Sequence, residues 1–120
     1  MTTSSYDSPY FELDIDQGTT FSRVVQLYDA LDLIIDLTGA TARMQFRRTP
    51  QSANVLVELR SSNGGLTVGT IDGNIQFTLT PTQTRALIDD CVFDCLVTFP
   101  SGVIIKAFSG IVSLGLTVTQ

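Results

Sequence analysis

Asp14-Ile15-Asp16-Gln17-Gly18 begins as a calcium loop does, with oxygen ligands on alternate residues ahead of a glycine. The likeness stops there: no third oxygen ligand follows at the next odd position, and no glutamate closes a twelve-residue loop. In a strand Asp14 and Asp16 would share one outward face, as on a solvated surface. Glu12, Asp29, Asp32 and Asp36 complete an acidic first third that a hard cation could use, but no spacing among them fixes a coordination shell. Asp89-Asp90 pairs two carboxylates, yet acid–base catalysis needs a cleft and two distinct environments rather than neighbours on a turn. Lys106 is the only lysine, so a Ser–Lys dyad could be drawn with almost any serine and is specified by none. His is absent, which removes Ser–His and Cys–His nucleophilic pairs, His-ligated zinc and a histidine pH switch. No glycine sits in a phosphate-binding pattern between a strand and a helix. The residues therefore name no catalytic group, no cofactor and no metal, and the expectation is that the chain is not an enzyme.

Cys91 and Cys95 fall in an alternating run, Cys91-Val92-Phe93-Asp94-Cys95. As strand residues four apart, their Cα atoms would be separated by roughly 13 Å, against the ~4.4–6.8 Å of a disulfide. Both should point to one face as small core residues, in keeping with a reducing compartment.

The last group with chemical reach is basic. Arg43, Arg47 and Arg48 lie within six positions, on a chain with seven basic and twelve acidic residues. Arg43 and Arg47 flank Gln45 on the polar side of an alternating segment. Two readings stay open. The row could be a solvated face with cross-strand pairing to carboxylates such as Glu58. It could instead be a donor stripe for a protein partner, since Arg is favoured at interfaces. Arg43, Gln45, Arg47 and Arg48 are the partner-binding candidates.

These residues sit on short elements of period two. Phe11, Leu13 and Ile15 alternate with acids, and a second alternating run covers 21–28. A turn at 29–32 leads to a short apolar strand expected at 33–37, and Thr38-Gly39 breaks the chain. Residues 40–47 form the clearest strand pattern, with Ala42, Met44 and Phe46 inward. Val55, Val57 and Leu59 alternate next. Asn63-Gly64-Gly65 and Asp72-Gly73 are tight-turn signals, and 66–70 is expected to pair behind the first of them. Thr80-Pro81-Thr82-Gln83 has the sequence of a capping box with proline at the first helical position. It predicts a short helix near residues 81–88, with Ala86, Leu87 and Ile88 on its inner side. Residues 91–99 and 103–108 make a hairpin, and Gly110 punctuates before a last strand over 111–118.

Turns every 8–12 residues, with no internal repeat, predict an all-β chain: an Ig-like antiparallel β-sandwich of about 7–9 short strands. Residues 1–9 read as a flexible polar tail and 10–120 as a single domain, the count expected for 120 residues. A net charge of −5 argues against nucleic acid. The N-terminus has no secretory signal pattern, and no apolar stretch approaches the ~20 residues of a membrane helix.

Residues 36–47, Asp36-Leu37-Thr38-Gly39-Ala40-Thr41-Ala42-Arg43-Met44-Gln45-Phe46-Arg47, resemble a D-L-T-G-x-T-A-R-M-Q-x-R run found in small virion proteins of tailed phages. The context is similar on both sides: Gln17-Gly18 with Phe21 upstream, Gly73, Ile75, Leu79 and Thr84 downstream, and Gly110-Ile111-Val112 near the C-terminus. The resemblance spans about residues 10–118. It implies an Ig-like module of a tail, baseplate or fibre-attachment assembly, similar to the amino-terminal domain of baseplate upper proteins. It further implies a virion location after synthesis in a host cytoplasm, with other virion proteins as partners and several copies or a homo-oligomer per particle. Capsid decoration or a neck position is the neighbouring expectation. A host-glycan-binding sandwich is a more distant one, since sugar sites use exposed aromatics and the chain has no Trp and three Tyr.

Overall fold

The computed structural model describes Tyr6 and residues 8–119. The strands are β1 (Tyr10–Asp16), β2 (Phe21–Gln26), β3 (Thr41–Arg47), β4 (Val57–Arg60), β5 (Leu66–Val68), β6 (Asn74–Leu79), β7 (Cys91–Thr98) and β8 (Ile104–Gly115), with one helix, α1 (Pro81–Ala86). They form two sheets, β1-β8-β7-β3-β4 and β2-β6-β5. This five-plus-three arrangement, with the helical turn crossing from the small sheet to the large one, is an Ig-like β-sandwich. One expectation is corrected. The sandwich is not wholly antiparallel, because β1 runs parallel to β8 from Tyr10 opposite Ser109 to Asp16 opposite Gly115.

Alternation builds the layers. Ala42, Met44 and Phe46 of β3 and Cys91, Phe93, Cys95 and Val97 of β7 point inward and are buried. From the small sheet, Ile75, Phe77 and Leu79 meet them. Phe108 joins the layers: its ring lies 5.8 Å from Phe77 across the sandwich, 6.0 Å from Phe11 and 6.4 Å from Phe93. It gets there through a bulge. Cys95 pairs with Phe108 but Leu96 pairs with Lys106, so Ala107 has no partner and β8 changes phase. Ala107 and Phe108 are consequently both buried. The Tyr6 hydroxyl donates to the Ala107 carbonyl at 2.6 Å, and the Pro9 carbonyl accepts from the Ser109 amide. Of the expected tail at 1–9, residues 1–5 and 7 lie outside the described residues.

Four local expectations change. Residues 33–37 are not a strand; a single bridge joins Tyr28 to Ile34. The Asp29 carboxylate accepts the amides of Leu31 and Leu33, Asp32 takes a left-handed φ of 61°, and the Ile35 and Leu37 amides turn to Leu27 and Thr70. β5 does not fold back on β4 but pairs with β6, so the Asn63–Gly65 turn carries the chain from one sheet to the other. Gly110 does not end a strand: β8 runs through it to Gly115. A Cβ there would lie 1.9 Å from the Phe11 carbonyl, so glycine lets β1 lie against β8. In α1 the capping box forms between Thr80 and Gln83. The helix ends at Ala86, however, and of the three expected inner residues only Leu87 is buried, beside Thr84.

Candidate functional site

The outer face of the five-stranded sheet gathers the side chains with chemical reach, because every second residue of five strands must project there. Register fixes them in rows. One row reads Glu12, Ile111, Val92, Arg47 across β1, β8, β7 and β3. The next reads Tyr10, Ser109, Asp94, Gln45 and Glu58, reaching β4. A third reads Lys106, Leu96, Arg43 and Arg60. A shallow trough of about 470 Å³ runs over the first two rows, floored by Val92, Leu96 and Ile111.

Of the predicted residues, Arg43, Gln45 and Arg47 lie together on this face, while Arg48 does not. Arg48 stands past the end of β3 and meets Asp89 at 3.2 Å, both side chains more than half exposed, a pair that contributes little in water. Gln45 and Arg47 are engaged within the chain. The Gln45 amide donates to Glu58 at 2.7 Å. Arg47 donates to the Gln45 carbonyl oxygen at 2.8 Å and also to the Ser52 backbone carbonyl. Glu58 in turn accepts from Arg60. The Gln45 hydrogen bond chiefly, opposed by burial and then aided by Arg60 and Arg43, holds the Glu58 carboxyl below the usual glutamate range. Arg43 has no hydrogen bond or ion pair among the described residues and faces Arg60 directly across the ladder. Arg60 comes beside Arg43, and Lys106 into the same row beyond Leu96, only through pairing register, which no local spacing signals.

The other candidates build structure. Asp14 and Asp16 project outward and exposed from β1. Asp29 and Asp36 tie their own loops, and two hydrogen bonds from Thr38 lower the Asp36 pKa. Asp90 accepts the Leu114 amide at 2.9 Å. Cys91 and Cys95 are free and buried. Burial chiefly, helped by Asp90 and Asp89, pushes the Cys91 thiol up to about 11; burial and Asp94 push Cys95 to about 12. Neither is a nucleophile at neutral pH. Among the described residues no three His, Cys, Asp or Glu side chains gather to hold a metal, and no helix is long and apolar enough to cross a membrane. The face thus offers a flat, hydrogen-bonded polar surface with an apolar floor.

No family model and no curated protein matches the chain. Among solved structures, the chain is similar to extracellular domains of the voltage-gated sodium channel beta4 subunit, described as parallel homodimers that explain a role in cell–cell adhesion. The identity is 7%, with 98% of this chain and 100% of that one covered and a TM-score of 0.49.

Proposed function

We propose that the chain is a non-enzymatic structural subunit of a tailed-phage virion, serving as a tail, baseplate or fibre-attachment adaptor. The observation that carries this reading is how the resembling run, residues 36–47, is used. Asp36, Leu37, Thr38 and Gly39 make a corner: the Asp36 carboxylate binds the Thr38 amide and hydroxyl, and Leu37 is fully buried. Gly39 has φ 77°, and a Cβ there would lie 2.9 Å from Pro100. Ala42, Met44 and Phe46 then enter the core while Arg43, Gln45 and Arg47 stay outside. The run thus specifies a rigid strand with a presented polar row, and nothing in it activates a nucleophile. An adaptor needs such a preformed surface, since little freedom is lost when it docks. The partners in this reading are other virion proteins, and the chain is present in several copies.

The test is composition and morphology. Purified particles should contain the chain by mass spectrometry, and deleting its gene should remove a feature of the tail or baseplate seen by negative stain. Particles that lack the chain when purified from infected cells would end the proposal.

A further inference from the structure

We infer that the outer face of the five-stranded sheet is a homodimer interface whose two-fold axis runs parallel to the strands, between β7 and β8. This inference does not depend on the virion reading. It starts from the row Glu12–Ile111–Val92–Arg47, which runs from a carboxylate through two apolar side chains to a guanidinium. A two-fold axis along the strands lays this row on its own reverse. Glu12 of one copy then comes opposite Arg47 of the other, and Ile111 opposite Val92. The adjacent row behaves alike, because Tyr10 comes opposite Gln45 and Ser109 opposite Asp94, each a donor facing an acceptor. A two-fold axis perpendicular to the strands would set β1 against β1 and bring the carboxylates of Glu12 and Asp14 together. Charge therefore selects one axis of the two.

Two further observations favour an occupied face. Tyr10 on the edge strand β1 is 62% exposed and Ile111 on the neighbouring β8 is 37% exposed, leaving apolar surface uncovered at this end of the row. Glu12 has no hydrogen bond or ion pair among the described residues and stands three strands away from Arg47. The area sets the strength. The axis overlays four strands, β1, β8, β7 and β3, and leaves β4 outside; four strands ~4.8 Å apart and seven residues at ~3.3 Å give a face of ~440 Å². Two copies then bury ~890 Å², the size of a weak, transient association, which should show as a concentration-dependent equilibrium.

A charge swap tests it. Sedimentation equilibrium of the full chain should show a monomer–dimer equilibrium. Glu12→Arg alone and Arg47→Glu alone should each weaken it by ~100-fold or more, because both ends of the row then carry one sign. Mixed in equal amounts, the two variants should recover a one-to-one dimer, since every end now meets its opposite. Melting temperature and circular dichroism check folding; if Arg47→Glu unfolds, Ile111→Glu mixed with Val92→Arg replaces the pair, because these two positions also come opposite each other, with the same recovery expected. A wild-type chain that stays monomeric to ~1 mM overturns the inference, as do variants that associate as wild type or a folded mixture that stays monomeric.

Discussion

Cys91 and Cys95 show how strongly position governs a side chain's chemistry. Each is a thiol within reach of carboxylates, Asp89 and Asp90 for one and Asp94 for the other, and each is held protonated chiefly because it is buried. The consequence for stability has a definite sign. In the unfolded chain both thiols ionise near pH 9, while in the folded chain they hold their protons to about 11 and about 12. Their contribution is fully present below pH 9 and is lost as pH rises through the folded values. In that window each thiol lowers stability by ~1.4 kcal/mol per pH unit. Denaturant melts at successive pH values should therefore fall steeply above pH 9. Cys91→Ala with Cys95→Ala should cost a few kcal/mol at neutral pH through lost packing, and should flatten the alkaline slope. An unchanged slope would show that other groups cause it.

At the scale of elements, Gly110 marks where sequence reasoning and structure part. A glycine between alternating runs signals a break, but here it sits inside a twelve-residue strand. What demands it is a non-local event, the passage of the Phe11 carbonyl of β1. Gly110→Ala should cost more than ~3 kcal/mol, seen as a lowered denaturant midpoint, and should expose the β1 amides to hydrogen exchange; a variant as stable as the parent would mean that β1 does not lie this close. The same distinction runs through the fold. Inward residues of β3, β6 and β7, the capping box of α1 and the turn at Asp72-Gly73 were legible, because period and turn chemistry are local. The phase change at Ala107, the crossing of the chain between sheets after Gly65 and the parallel placing of β1 were not, since each depends on a partner far along the chain. For the candidate face, Arg43, Gln45 and Arg47 could be read from alternation, whereas Arg60 and Lys106 needed the register. Edge protection follows from register too. With one lysine the edges look unguarded, yet β2 carries Arg23 on the side that faces Phe77, beside the Phe21 ring, and an inward charge on an edge strand discourages pairing with another chain.

Across the whole molecule, a net charge of −5 describes no actual surface. Arg43, Arg47, Arg60 and Lys106 share one sheet face with Glu12, Asp94 and Glu58, so that face carries both signs, while the loop over residues 27–40 contains three aspartates and no Lys or Arg. That loop also exposes Leu31 and Leu33, held outward by the Asp29 turn. The parallel pairing of β1 with β8 has a mechanical meaning as well. The start of β1 and the end of β8 lie at opposite ends of one ladder, from Tyr10 beside Ser109 to Asp16 beside Gly115. A pull on the two chain ends therefore loads those hydrogen bonds together, in shear, where an antiparallel hairpin would unzip them singly. Under force spectroscopy with handles at the two ends, the domain should rupture in one event, and Gly110→Ala should lower the rupture force. The pair of strands that closes the sandwich is thus also its clasp against tension along the chain.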